Sequence, residues 1–516
     1  MMLKFVRRVM NKGKASRLPL LKVCYLVIAA FALLIVDCRG GGGSGDSTAA
    51  PQPVLQQTGA LKVLSSNPRY FTDGNGKAIY LAGSHNWYSV QDNGLVENPS
   101  SSSPVVGPLT YISDDEWNAL LGLMQTHHHN FTRLWINEGW MFGYGMTAAK
   151  YAEPLPYART GPGTALDGKP KFDLSQFNQA YFDRLRSRVS AAKDGGIYVS
   201  VMLFQGFGMD TPETWKGHPF NGKNNVNAID GDLNGDGIGS ETHTLQNSVI
   251  TALQEKYVKK VIDTVNDLDN VLYEIANEDS PGSASWQYHM IDVIHDYEKT
   301  KPKQHPVGMT MIDQKSNSAL FGSKAEWISP TFPAPVDSDP SAADGTKVIL
   351  LDTDHLAVEF GSQAWAWKSF LRGYNLLYMD NLTSSTDKEA TRLAMGQTLA
   401  YANKMNLAAM TPRDDLSSTS HCLANPGQEY LVYQPSSETS FSVNLVSGTY
   451  SYEWFNPSFG WVDSSDTIKV SSGDKTFTPP FRGDAVLYLK VVSEALTAKE
   501  KELRKAEGAL RLRPST

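Results

Sequence analysis

Two apolar runs in this 516-residue chain end in carboxylates. Val271-Leu-Tyr-Glu-Ile-Ala-Asn277-Glu278 presents Glu278, and Val348-Ile-Leu-Leu-Asp352-Thr-Asp354-His355 presents Asp352 and Asp354. Carboxyl groups that face one another across a gap can split an acetal. One protonates the leaving oxygen, while the other attacks the anomeric carbon or activates water as positive charge develops there. Asp352 and Asp354 share a face if the strand alternation continues through them. Asp354 is favoured as the second acid because it lies nearer the open end, with Asp352 as its partner or replacement. A separation of about 5–5.5 Å predicts retention of anomeric configuration and about 6.5–9.5 Å predicts inversion. The competing readings are a salt-bridged loop glutamate for Glu278, and a helix cap or ion ligand for the Asp-x-Asp pair.

Such acids need a scaffold that brings distant strand ends together. Eight apolar, β-rich runs alternate with helical-period segments: Ile79 to Ser84, Phe131 to Ile136, Ile197 to Phe204, Val271 to Ala276, Pro306 to Thr310, Glu326 to Ser329, Lys347 to Leu351 and Tyr374 to Met379. This pattern predicts a (β/α)₈ TIM barrel over 61–413, whose active site lies at the carboxyl ends of the strands. Among the helices, Ser113-Asp-Asp-Glu116 reads as a capping box ahead of Trp117, Leu120, Leu121 and Met124. Phe177, Tyr181, Leu185 and Val189 form one core stripe, and Leu245, Val249, Leu253, Tyr257, Val261 and Val265 another. Beyond Pro412 the period changes to short alternating strands, Glu429 to Gln434, Ser440 to Leu445, Gly448 to Phe455, Thr467 to Val470 and Asp484 to Val491. A small C-terminal β-sandwich is expected over 414–492, with Trp454 and Trp461 in its core, followed by a charged tail over 493–516.

At the strand ends the chain resembles a known family. Tyr273-Glu-Ile-Ala-Asn277-Glu278 is similar to the fourth-strand Asn-Glu signature of clan A glycoside hydrolases, above all the cellulase-like family 5. That resemblance implies Glu278 as acid/base and Asn277 as a contact to the sugar's 2-hydroxyl. Asn130-Phe-Thr-Arg133-Leu-Trp135 resembles the second-strand segment whose arginine positions and charge-stabilises the nucleophile, a role implied for Arg133, although a structural ion pair would serve the same residue. The chain departs from the family on strand seven, where a glutamate nucleophile is usual and Asp352 and Asp354 stand, with Glu359 already in the next segment. Cys422 to Tyr433 and Gly448 to Pro457 resemble a small β domain, named for collagen binding, that follows many glycosidase barrels; packing as an accessory to the barrel is the favoured expectation.

A sugar site also needs flat apolar faces and polar neighbours. His85, Trp87, Trp135, His355 and Trp365 fall near strand ends and are candidate substrate contacts, with Trp87 and Trp365 preferred as stacking platforms; Trp140, Trp286 and Trp367 lie in similar places. His127-His128-His129 reads as a solvated loop, because adjacent residues do not converge on one ion. Asp230-Gly-Asp232-Leu-Asn234-Gly-Asp236-Gly-Ile-Gly-Ser-Glu241 fits an oxygen-ligand calcium pattern with glycine at its sharp turn. A structural Ca²⁺ in the loop after strand three is expected, and no cofactor for catalysis.

The first 37 residues read as an export signal, with seven Lys/Arg ahead of an apolar run from Val23 to Val36 that is too short to span a bilayer. Cys38 opens a Gly/Ser/Pro-rich linker to 60 and resembles the lipidated cysteine of bacterial lipoproteins, except that Asp37 replaces the usual small residue. A protein secreted or lipid-anchored at a bacterial surface or periplasm is the expectation. From Cys38 onward the formal charge is −13, which argues against nucleic acid as a partner. The expected partner is a carbohydrate substrate, bound by a monomer. The alternative to a glycosidase is a non-catalytic surface adhesin that uses the barrel as a scaffold.

Overall fold

The computed structural model describes residues 58–492 apart from 88, 144–148, 314–315, 332–340, 356–360 and 436–438. The export signal, Cys38, nearly all of the linker and the tail at 493–516 lie outside the described residues. Among the described residues no helix is long and apolar enough to cross a membrane.

Eight parallel strands form the centre: β1 (Ala82–His85), β2 (Phe131–Leu134), β3 (Tyr198–Gln205), β4 (Val271–Asn277), β5 (Val307–Thr310), β6 (Trp327–Ser329), β7 (Val348–Asp352) and β8 (Asn375–Met379). They run in the order β1-β8-β7-β6-β5-β4-β3-β2, each beside its chain neighbours, as a nearly closed barrel requires. Strands buried on both faces read as unbroken apolar runs, which is why all eight were visible in the sequence. Phe131, Tyr198, Leu272, Trp327, Leu350 and Leu377 share one apolar cluster, while Leu134, Val199, Val201 and Ile275 pack in the larger one with the helices.

The seam between β1 and β2 is closed by Asn130. Its backbone N–H donates to the Ala82 carbonyl at 3.0 Å, and its Oδ1 accepts from the Ala82 N–H at 2.9 Å. A Cβ on Gly83 would lie 1.7 Å from the Phe131 carbonyl oxygen, so the two backbones approach this closely only because β1 carries glycine there.

The main helices are α1 (Ser113–Thr126), α2 (Gln179–Asp194), α3 (Ser248–Val265), α4 (Ala284–Glu298), α5 (Gln363–Leu371) and α6 (Thr386–Lys404). The capping box at α1 does not form. Ile112 occupies the cap, and the Ser113 N–H and hydroxyl both donate to Asp92 Oδ1, at 2.9 and 2.8 Å, so an acid from a neighbouring loop does the capping. Phe177 ends a short strand ahead of α2, leaving Tyr181, Leu185 and Val189 on the buried face. In α3, Leu245 precedes the helix and Val249 is exposed, while Ile250 is buried. A strict four-residue repeat drifts around a helix of 3.6 residues per turn, so its first members leave the core. Loops after β1 and β2 also build a four-stranded antiparallel sheet, Asp92–Glu97, Val105–Tyr111, Met141–Gly143 and Ala149–Glu153, which the sequence did not reveal.

The C-terminal β domain comprises β9 (Cys422–Asn425), β10 (Glu429–Gln434), β11 (Phe441–Leu445), β12 (Gly448–Asn456), β13 (Trp461–Val470), β14 (Gly473–Phe477) and β15 (Ala485–Val491). One antiparallel sheet runs Thr411–Pro412, β9, β10, β15, β12, β13, and β11 pairs with β14. Between them pack Tyr430, Val432, Phe441, Val443, Trp454 and Leu487. The other face of the large sheet sends Leu431, Tyr433, Phe455 and Tyr488 into the barrel's own core. Trp367 of α5 stacks on Tyr433 at 6.3 Å and 10°, with Tyr401 of α6 at its edge. Trp461, expected in the core, is 56% exposed on the edge strand β13 and stacks on Phe459.

Candidate active site

Arg133 of β2 stands at the centre of the strand ends and has no solvent-exposed surface. Its Nε donates to Glu274 Oε2 at 2.9 Å and its Nη1 to Asn277 Oδ1 at 3.4 Å, and Nη1 is ion-paired with Asp352 Oδ2 at 2.7 Å and Asp354 Oδ2 at 4.0 Å. Glu274 also accepts from the Ser200 hydroxyl at 3.1 Å. Asp352 accepts from His85 Nε2 at 3.1 Å and from the Asp354 backbone N–H at 3.0 Å. Burial works against the charge on both partners, but Glu274, Asp352 and Asp354 hold the guanidinium charged, and Arg133 followed by His85 holds the Asp352 carboxyl well below the usual range. Asp352 is therefore a sealed anion that fixes Arg133, His85 and the turn after β7; with no exposed surface it does not reach a substrate.

Asp354 does. It lies past the end of β7 in the single 3₁₀ turn Thr353–His355, so the turn, not strand alternation, sets its direction. Its carboxylate converges with that of Glu278 and the ring of His355: one ligand-type atom of each residue lies within 4.8 Å of the others. Glu278 follows β4 with φ +44°, a left-handed conformation that turns the chain sharply as the strand ends. Both acids are partly exposed, unlike Glu274 and Asp352 beneath them. Burial, with Asp352 adding to it, raises the Glu278 carboxyl to about 7 against the pull of Arg133, and burial with Asp352 and Glu278 pushes Asp354 up as well. Two acids this close hold one proton between them near neutral pH.

His355 is committed to the protein. Asn277 Oδ1 faces the Arg133 guanidinium, which only donates, so His355 Nε2, 3.0 Å from the same oxygen, carries hydrogen. Its Nδ1 then accepts from the Ser329 hydroxyl at 2.9 Å, and burial lowers its pKa to about 3. A neutral ring with both nitrogens bonded offers no lone pair to a metal, so the cluster is an acid pair with a hydrogen-bonded wall. Asn277 also donates to Gln205 Oε1 at 3.2 Å.

A second ionic chain braces the Glu278 loop. Asp279 pairs with His243 Nδ1 at 2.9 Å, and His243 Nε2 pairs with Glu138 Oε1 at 3.0 Å. The His243 ring stacks on Trp286 at 4.4 Å. Glu138, Ser200, His243, Glu274, Asp279 and Ser329 were not singled out in the sequence. Glu274 had a signal: a charge inside a buried strand requires a partner. For the others, no local pattern exists.

Of the aromatic candidates, Trp87 is 38% exposed on the loop after β1, as a platform must be. Trp365 is only 3% exposed and packs on Gly361 and Thr391, so the expectation of a stacking face there is corrected. Trp135 is buried with Arg133 5.8 Å from its ring centroid and His85 stacked on it. Trp140, Trp286 and Trp367 are core. Phe207, in the loop after β3, is 43% exposed and adds a second face. The histidine run is not a solvated loop either: His127 is bonded to Glu389 at 2.8 Å and His129 to the Arg392 carbonyl at 2.9 Å, both buried, and only His128 is outside. Glu359 lies outside the described residues. In the acidic loop, Asp232, Asp236 and Glu241 come together, whereas Asp230 is not part of that acidic cluster; Asn234 lies beside it, its side-chain amide donating to Asp236 Oδ2 at 2.9 Å.

The barrel with this arrangement of acids has the fold of glycoside hydrolases. A solved glycoside hydrolase superposes with a TM-score of 0.52 at 12% identity over 84% of this chain and 98% of its own. A family 5 glycoside hydrolase from Bacteroides vulgatus gives 0.52 at 11% identity over 84% and 94%. In sequence, residues 147–325 match a domain family of unknown function, DUF6298. No curated protein matches the chain.

Proposed function

We propose that the protein is a retaining glycosidase that hydrolyses O-glycosidic bonds of a polysaccharide or oligosaccharide, with Glu278 as acid/base and Asp354 as nucleophile. The observation that carries this reading is the approach of the two carboxylates to within 4.8 Å at the mouth of the barrel. That is nearer the roughly 5–5.5 Å of retaining enzymes than the roughly 6.5–9.5 Å of inverting ones.

Arg133 lies 4.0 Å from Asp354 and draws charge onto both acids, and the proposed division puts the charge on Asp354 and the shared proton on Glu278. Asp354 then attacks the anomeric carbon as the bond to the leaving oxygen breaks, and Glu278 passes its proton to that oxygen. In the second half, Glu278 takes a proton from water, the water oxygen bonds to the anomeric carbon, and Asp354 leaves as carboxylate. Trp87 and Phe207, exposed on the loops after β1 and β3, are the rings proposed to stack on pyranose faces, and the export signal expected over the first 37 residues would put the substrate outside the cytoplasm.

The test is hydrolysis of nitrophenyl glycosides and polysaccharides by the chain from Cys38 onward, with the product anomer read by NMR. Glu278→Gln should lower turnover by about 10²–10⁴-fold. Unchanged turnover in that variant, or a product of inverted configuration, overturns the assignment.

A further inference from the structure

The loop between β3 and α3 holds a cluster that the glycosidase reading does not use. From Asp230 to Thr242 the chain carries four acids and no Lys or Arg. One carboxylate oxygen each of Asp232, Asp236 and Glu241 lies within 4.8 Å of the others. That is the spread of oxygens around one ion at roughly 2.3–2.6 Å, since opposite ligands stand about two bond lengths apart. None of the three is ion-paired to a basic side chain among the described residues.

Glu241 supplies the decisive observation. It is 8% exposed, and its Oε2 is buried with no hydrogen-bond partner among the described residues. A carboxylate out of water with neither proton donor nor cation is costly, and such groups coordinate metals or are paired. Asp232 and Asp236, by contrast, accept backbone N–H groups of the loop itself, Gly235 and Gly237 on Asp232 and Ile238 on Asp236. The loop thus presents preformed oxygens to a buried unpartnered one.

We infer that Asp232, Asp236 and Glu241 bind a calcium ion, in a register that differs from the one the sequence motif implies. In the motif the first ligand is Asp230. Here Asp230 Oδ1 accepts from the Asp232 N–H at 3.3 Å and its Oδ2 faces Gly222, so it shapes the turn instead. Three anionic oxygen donors in an irregular loop, with backbone carbonyls and water completing the shell, suit the flexible coordination of Ca²⁺ better than the rigid octahedron of Mg²⁺. Glu241 shares the one-turn 3₁₀ helix Ser240–His243 with His243, the residue that braces Asp279 beside Glu278. The ion therefore anchors the far end of the ionic chain behind the acid pair.

The loop has a built-in reporter. Its two ends rest on Trp215: a Cβ on Gly239 would lie 2.2 Å from the indole and one on Gly231 2.9 Å. Terbium added to the full chain after chelator treatment should show luminescence on excitation of tryptophan, and Ca²⁺ should quench it by displacement. Calorimetry should give one Ca²⁺ per chain with Kd of the order of 10⁻⁵–10⁻⁴ M, and Ca²⁺ should raise the melting temperature. Glu241→Gln and the exposed Asp236→Asn should each weaken binding at least about tenfold, while Asp230→Asn keeps it. Absence of calcium binding to the stripped wild-type chain overturns the inference. So does tighter binding of Mg²⁺ than of Ca²⁺, or loss of binding in Asp230→Asn with Asp236→Asn unaffected. These readouts involve no sugar, so they stand apart from the outcome of the hydrolysis test.

Discussion

At the scale of single residues, the site works by giving four neighbouring carboxyls different surroundings. Glu274 and Asp352 are sealed against Arg133, while Glu278 and Asp354 keep partly exposed surface. The consequence is a pH profile. With its carboxyl raised to about 7, Glu278 is protonated below that pH and ionised above it. A proton donor acts only in the protonated form and a nucleophile only in the ionised one, so kcat/KM should fall about tenfold per pH unit above pH 7 as Glu278 ionises and fall again on the acid side as Asp354 takes up its proton. A pH–rate series on an unactivated glycoside checks this, and Glu278→Gln should abolish that alkaline limb. A limb that stays in the variant, or one centred near an ordinary glutamate pKa, refutes the assignment. Glu278 was legible because its dipeptide ends an apolar run. The division of labour between Asp352 and Asp354 was not, because it depends on which of them Arg133 and His85 occupy.

At the scale of elements, the strands were legible and the helix starts were not. Burial on both faces leaves a strand no polar alternation, so length and flanking polar residues mark it. A helix start can be satisfied by any acceptor that the fold brings near, and at α1 this is Asp92 from the strand after β1. Asp92 also pairs with Arg184 of α2 at 3.0 Å, so one carboxylate ties two helices to the loop sheet. Asp92→Ala should destabilise the protein by about 0.5–2 kcal/mol, the span measured for lost caps. Urea denaturation checks it. A capping box would make Asp92→Ala neutral and place the loss on Glu116→Ala instead.

For the molecule as a whole, the barrel and the β domain share apolar surface, so they should unfold as one unit. Trp367 belongs to a barrel helix, yet its ring contacts Tyr433 and Phe455 of the β domain. Trp367→Ala should cost about 3–5 kcal/mol, the range for removing a buried Trp, and should shift a single cooperative transition read by both fluorescence and circular dichroism. Two separated transitions, with only one shifted, would mean that the domains fold independently. The β domain thus covers α5 and α6, which leaves the exposed Phe459 and Trp461 pair, not its packed face, open to solvent.

The sequence by itself determined the strand count, the change from barrel to β domain and the identity of the acid at the end of β4. All three follow from short-range patterns: apolar runs, a switch of period and a charged pair where such a run stops. Tertiary structure decided which aspartate reaches the mouth, which acids gather in the loop from Asp230 to Glu241, which tryptophans face water and which residues brace Glu278. Those outcomes depend on what lies across the barrel from a side chain, and a linear pattern carries no record of the group on the opposite wall.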